Sequence, residues 1–400
     1  MKKRLFTPGP TPIPESVMLA MAEPIIHHRN PEFVEILTSV NENLKYLFQT
    51  KNPVLTLTSS GTGAMEASVA NLLSPGDKAI FVNLGKFGER WGQIMKAYGV
   101  EPVEVKIEWG TAPTAELILQ TLKNNPTTKA VFLTHSETST GVFTDIKSIA
   151  AAVHEKYDIA VVVDGITSVG ADEMRFDEWG LDVIVTGSQK GLMIPPGLAF
   201  AAVSERAQKM MEPSKLPKYY FSFKKALKSH ADNDTPYTPA ITLVIGLEKG
   251  LRMIREETVE HVWQHHKMLS EAVRNGCKAI GLELFGSPAS HAVTAVNVPQ
   301  GVEYSKFNKI LKQKYGITTA GGQDHLKGKI FRVSHLGYYD EVDIVGVVAA
   351  LEWTLHDLNF KFEPGSGVTA VQKTFAEYAA KTADESTASR QGREKAEALK

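Results

Sequence analysis

The spacing of hydrophobic positions changes along the chain, and the changes mark out its parts. Apolar runs at 54–58, 79–83, 130–134, 159–164, 183–186 and 198–203 are short and nearly continuous. Between them, 64–73, 87–98, 115–123 and 145–156 carry apolar residues at three- and four-residue intervals. Short continuous runs predict strands and the longer periodic segments predict helices. Their alternation predicts βα units on a mostly parallel central sheet. Ala160-Val161-Val162-Val163 is apolar at every position, the pattern of a strand covered on both faces, so the sheet is expected to be buried.

The flanks read differently. Thr7-Pro8-Gly9-Pro10-Thr11-Pro12-Ile13-Pro14 fixes backbone angles without offering a ladder of donors, which predicts an ordered arm. One long helix is expected over 243–276. Beyond it, 294–298, 307–315, 329–334 and 341–358 give a strand, helix, strand, helix series that fits a small α/β domain. After Pro364-Gly365-Ser366-Gly367 the large apolar residues thin out, so the tail is expected to be a helical or mobile appendage. These readings divide the chain into an arm (1–14), a large domain (15–265), a small C-terminal domain (266–363) and a polar tail (364–400).

Composition narrows the partners. With 43% hydrophobic residues in 400, the chain has material for a substantial core, which excludes disordered and collagen-like classes. The 44 basic and 45 acidic residues leave no electrostatic footprint for nucleic acid or an anionic membrane. No run approaches the ~18 apolar residues of a membrane span. The sole cysteine, Cys277, cannot form an internal disulfide and fits a reducing compartment. A cytoplasmic protein acting on small molecules, or pairing with a second copy of itself, is the expectation.

Ligands of open parallel sheets bind beyond the carboxyl ends of the strands, so the residues just after each apolar run carry the candidate chemistry. Ser59-Ser60-Gly61-Thr62-Gly63-Ala64 leads the first run into a helix, and bare amides at a helix start favour an anion such as phosphate. Alone, the glycine pair is equally a tight turn. The fourth run ends in Asp164, a carboxylate that needs a cation or good hydrogen bonds where a hydrophobic strand meets its loop. The fifth leads through Gly187-Ser188-Gln189 to Lys190 in the same crevice. Pyridoxal phosphate requires an amine for its aldehyde, a carboxylate for its ring nitrogen and an anion site for its phosphate. The chain offers one candidate for each.

Ser188-Gln189-Lys190-Gly191 with Pro195-Pro196-Gly197, Ser60-Gly61-Thr62-Gly63 with Glu66, Thr134-His135-Ser136-Glu137-Thr138-Ser139-Thr140-Gly141, and Val163-Asp164 together resemble the class V aminotransferases of fold type I. The resemblance is nearest to the alanine–glyoxylate and serine–glyoxylate branch, which also holds proteins labelled as a soluble hydrogenase subunit. It runs from Thr7 to about Leu358. It implies a mostly parallel central sheet in a large domain plus a small α/β domain, pyridoxal phosphate as cofactor, and a homodimer with shared active sites. Lys190 would hold the cofactor covalently and shuttle a proton, and Asp164 would face the ring nitrogen. Thr62, Gly63, Ala64 and Gln189 would hold the phosphate, joined by Tyr237 and Thr238 from the neighbouring subunit. Phe87 would stack on the ring, and Ser139 would lie near its phenolic oxygen or the substrate. Ala64 replaces a histidine of some relatives.

Arg332, at the end of a run in the small domain, matches the family's carboxylate-binding arginine, since a guanidinium grips a carboxylate with two parallel bonds. Gly9 would bring backbone near the same carboxylate. The implied reaction moves an amino group from alanine or serine to glyoxylate or a similar 2-oxo acid. The alternative is a catalytically idle partner subunit that keeps the fold. His261 and His265 have zinc-like spacing, but Val262 stands where a metalloprotease has glutamate, so a solvated helix face is expected. Cys277 is expected to be inert, and His27 and His28 either face the substrate or decorate the arm.

Overall fold

The computed structural model describes residues 2–397, and side chains through residue 381. Its strands in chain order are β1 (Arg4–Phe6), β2 (Val54–Leu57), β3 (Lys78–Asn83), β4 (Glu101–Lys106), β5 (Thr128–Thr134), β6 (Ser136–Glu137), β7 (Val142–Phe143), β8 (Ala160–Asp164), β9 (Val183–Gly187), β10 (Ala199–Val203), β11 (Val293–Asn297), β12 (Ile317–Gly321) and β13 (Ile330–Ser334). Seven of them form one sheet in the order β2-β10-β9-β8-β5-β3-β4, in which β10 alone runs antiparallel to its neighbours.

Successive strand residues point to opposite faces, and the apolar runs therefore fill two separate cores. Val161, Val163 and Ile184 pack into the layer that holds the helix Pro31–Phe48. Val162, Val183 and Val185 pack into the other, with Ala64 and Met65 of the helix Gly61–Leu72. By the same parity Asp164 and Gly187, at the ends of β8 and β9, share the face of Val162 and Val185. That face carries the start of the helix Gly61–Leu72. A Cβ on Gly187 would lie 3.4 Å from the Gly61 amide nitrogen, so the absence of a side chain lets the helix start sit against the strand end.

The second sheet, in the order β1-β12-β13-β11, packs its apolar face around Phe331 and Val333 against the helices Val259–Ala279 and Glu341–Asp357. Its edge strand β1 comes from the N-terminal arm and pairs parallel with β12. The arm is thus tied into the sheet of the C-terminal half before it crosses to the large sheet.

Two expectations change. The single helix over 243–276 is two, Ile241–Glu257 and Val259–Ala279, broken at Thr258, whose φ of 72° no helix accommodates. The tail forms the helix Ser366–Glu397, and it is more than an appendage. Glu352 accepts hydrogen bonds from the amides of Gly365, Gly367 and Val368, which anchors the start of this helix, and Val371 and Thr374 are buried. The last three residues of the tail expected to be helical or mobile, 398–400, lie outside the described residues. Among the described residues, no helix is long and apolar enough to cross a membrane.

Candidate active site

Lys190 follows β9 by three residues and is buried. Its Nζ donates to the carbonyl of Pro8. The arm covers it closely: a Cβ on Gly9 would fall 2.5 Å from Nζ, and Gly9 has φ +141°, a region that side chains disfavour. Burial pushes the amine down to about 8, against the opposing pull of Asp164 and with help from Arg332 and Arg90. About a tenth of it is therefore unprotonated and nucleophilic at pH 7, far more than of an ordinary lysine. Gly9→Ala is expected to displace the lysine at a cost of about 1–3 kcal/mol; thermal melting and the extent of cofactor loading measure both effects.

Asp164 accepts the Ile166 amide at 2.8 Å. Burial raises its carboxyl to about 7, Glu137 adds to the rise, and Arg90 and Lys190 oppose it. Lys190, Asp164, Arg90, Arg332 and Glu137 thus act on one another through a single low-dielectric pocket.

The helix Gly61–Leu72 points its start toward this pocket. Its N-cap Ser60 provides no side-chain acceptor, so the first-turn amides call for another one. Thr62 Oγ1 accepts from Arg90 at 3.1 Å. Ala64 is fully buried, and the Gly63 amide donates to the Ser60 carbonyl at 2.8 Å. Beside them the carboxamide oxygen of Gln189 is buried without a partner, 3.1 Å from where a Gly187 Cβ would stand.

Phe87 lies at the start of the helix Lys86–Ala97, with the Arg90 guanidinium 4.9 Å from its ring centre. Its amide, and that of Gly88, donate to buried Glu137, as does Ser139.

Arg332 is the third residue of the five-residue β13, paired with Ala295 on one side and Ala320 on the other, rather than at the strand's end as expected. The inner strand β12 explains the difference: no apolar run marks it in the sequence, so its pairing of Ala320 with Arg332 is not legible there. Nε and Nη2 donate to the Gly321 carbonyl at 3.1 and 2.7 Å, and Nη1 donates to the Thr138 carbonyl at 2.8 Å. A guanidinium has five N–H groups. The two left over sit one on each terminal nitrogen, the pair that matches a carboxylate.

The other sequence candidates lie elsewhere. Tyr237 and Thr238 line a separate cavity with Tyr220 and Leu198. Tyr237 donates to the Tyr219 carbonyl at 2.9 Å, and Lys225 donates to its hydroxyl at 3.3 Å. His27 and His28 stack on each other near the turn before Pro31. His261 pairs with the Glu257 carbonyl and His265 with that of Tyr339. Among the described residues no cluster of three metal-ligating side chains occurs. Cys277 is buried in the small-sheet core, which pushes its thiol up to about 12, so it is held as the inert thiol. Arg90 and Glu137 were not singled out from sequence. Arg90 stands three residues after Phe87, a same-face helical spacing that could have flagged it; for Glu137 only its place in the quoted motif was available.

Residues 4–370 match the class V aminotransferases. The chain belongs to this family. It is 44% identical over 381 residues to a protein named soluble hydrogenase, small subunit, from Synechococcus sp., an alignment covering 94% of this chain and 99% of that one. It is 37% identical over 388 residues to serine–glyoxylate aminotransferase of Hyphomicrobium methylovorum, covering 95% and 96%. The crystal structure of ureidoglycine–glyoxylate aminotransferase from Bacillus subtilis superposes with a TM-score of 0.88 at 30% identity, covering 94% of this chain and 98% of the other. The fold is that of the fold type I aminotransferases, as expected.

Proposed function

We propose that the protein is a pyridoxal-phosphate-dependent aminotransferase that moves the amino group of alanine or serine to glyoxylate or a similar 2-oxo acid in two alternating half-reactions. The observation that carries this reading is that Lys190, Asp164 and Arg332 are all buried and that the charges of Asp164 and Arg332 both act on the Lys190 amine, whose own charge acts on Asp164. The residues present fit the cofactor. The start of the helix Gly61–Leu72, without a side-chain cap, forms a polar end where Thr62, Gly63 and Ala64 would hold the phosphate, with Gln189 donating to it through its carboxamide nitrogen.

When bound, pyridoxal phosphate supplies an aldehyde that takes up an amine and a ring that accepts the electron pair of the substrate's α-carbon. Lys190 holds the group through Nζ and, once that amine is released, moves the proton of the α-carbon. Asp164, a carboxylate above about pH 7, holds a proton on the ring nitrogen. Phe87 would cover the ring and Ser139 would lie at its phenolic side. Arg332 binds the α-carboxylate through its two unused N–H groups, and Gly9 keeps the arm closed over the site. Tyr237 and Thr238 complete the phosphate site from a second copy of the chain. Exposed Tyr219 and Tyr220 beside Tyr237 support this homodimer. We also propose the domain limits 15–265 and 266–363 and a cytoplasmic location.

The decisive experiment loads the purified protein with pyridoxal phosphate and follows its visible absorption on adding alanine, serine, aspartate, phosphoserine or aminoethylphosphonate. Loss of the band with alanine or serine, and its return with glyoxylate, is expected. Bound cofactor without any half-reaction would identify the idle partner subunit instead. Arg332→Lys keeps the charge but loses the fork. It is expected to raise KM for both substrates about 30–100-fold with a smaller effect on kcat, since charge-assisted bonds of this kind contribute about 2–3 kcal/mol; steady-state kinetics reads the split.

A further inference from the structure

Glu137 is a fully buried carboxylate, and its hydrogen-bond donors come from Phe87, Gly88 and Ser139. Its Oε2 accepts the amides of Phe87 at 3.1 Å and Gly88 at 2.9 Å. Its Oε1 accepts the Ser139 amide at 3.0 Å and the Ser139 hydroxyl at 2.6 Å. A built Cβ on Gly85 would run into its side chain, so the loop before the helix Lys86–Ala97 is shaped around it. Burial raises the carboxyl's affinity for a proton, while these four donors lower it. The acid form would set a proton against donors already directed at both oxygens, so the carboxylate is the form that fits.

The consequence falls on Ser139. A hydroxyl has one proton and two lone pairs. The proton goes to Glu137, and one lone pair accepts the Lys86 amide at 3.0 Å. What remains for a ligand is a single lone pair.

We propose that Glu137 is a positioning residue of the active site, which by taking the Ser139 proton and the Phe87 and Gly88 amides makes Ser139 an acceptor of a hydrogen bond from the bound ligand and fixes the start of the helix that carries Phe87. The inference rests on the cofactor reading above. Ser139 then recognises a protonated group of the cofactor and stabilises the protonated form. A serine that donated to a phenolic oxygen would stabilise the deprotonated form. The two roles therefore have opposite signs. Of the charged groups nearby, Asp164 and Arg332 interact with Glu137 directly, Lys190 and Arg90 act on Asp164, and Lys86 is held outward by Glu89 and Asp324 at 2.9 and 3.0 Å.

The test is a pH titration of the visible absorption of protein loaded with pyridoxal phosphate, in wild type, Ser139→Ala, Glu137→Gln and the double variant, alongside melting of the unloaded proteins. Ser139→Ala is expected to move the spectral midpoint down by about 0.5–1 unit, the size of one hydrogen bond. Glu137→Gln should move it down too, because the freed hydroxyl can donate. The double variant should show less than the sum, as residues acting through one contact do. An upward or absent shift in Ser139→Ala overturns the proposal, as does strict additivity. If Glu137→Gln melts too low to load, the sign of the Ser139→Ala shift decides alone. Wild-type protein that shows no absorption band after loading defeats the cofactor reading itself, an outcome distinct from any shift.

Discussion

Lys190→Ala is expected to abolish amino transfer, by about 10⁵–10⁶-fold, the scale on which an enzyme loses rate when its covalent group is removed, while leaving the unloaded protein folded. The two halves of this expectation come from the same observation. In the unloaded chain the amine is buried and its pKa is lowered to about 8. A base with a lowered folded pKa binds protons more weakly in the folded state. Folding is therefore penalised below that value and the penalty is relieved as pH rises through about 8 toward the ordinary lysine value of 10.5. Alanine removes the penalty together with the hydrogen bond to the Pro8 carbonyl. At pH 7 the unloaded variant should melt no lower than wild type, yet it should bind pyridoxal phosphate without the absorption band of a lysine-bound aldehyde. Melting, spectra and turnover measured on one preparation separate a chemical role from a structural one; a variant that melts far below wild type, or retains turnover, contradicts it.

The parts of this site readable from sequence are those whose chemistry is local. Asp164 ends a run of five apolar residues, Lys190 follows a glycine-containing turn, and Gly61-Thr62-Gly63 opens a helix; a few neighbours define each. The large sheet was legible for the same reason, because strands covered on both faces need apolar residues at every position. What escaped was non-local. Edge strand β4, with Pro102 and alternating charged residues, lacks a continuous apolar run because one side of it meets solvent. The three residues of β1 become a strand only by pairing with β12, more than three hundred positions away. The helix Pro31–Phe48 was missed although Asn30 and Pro31 mark its start and Phe33, Leu37, Val40 and Leu44 are spaced as one buried face. Glu137 meets the Phe87 amide across fifty residues. Its role is a property of the folded pocket, where a charge is tolerated only because four donors converge on it.

Asp164→Asn carries the second large effect, and it is expected to raise stability while lowering activity. An acid whose folded pKa is raised to about 7 holds its proton more tightly in the folded chain than in the unfolded one. Stability therefore falls as pH rises from the ordinary aspartate value of 3.8 toward 7, and above 7 the whole cost of the buried charge is present. Asparagine has the same shape and no charge, so the unloaded variant should be more stable than wild type at pH 8, by up to roughly 4 kcal/mol, and the advantage should vanish toward pH 4. Loading reverses the balance. A protonated ring nitrogen gives the carboxylate a charge-assisted partner in addition to the Ile166 amide, whereas asparagine leaves that nitrogen without its counter-charge. Turnover of the loaded variant should drop by about 10²–10³-fold, the scale lost with one preorganised electrostatic partner. Chemical denaturation of the unloaded proteins between pH 4 and 8, set beside half-reaction rates of the loaded ones, reads both signs. A carboxylate kept for packing alone would make the variant less stable at every pH, and one unconnected with the chemistry would leave the rates unchanged.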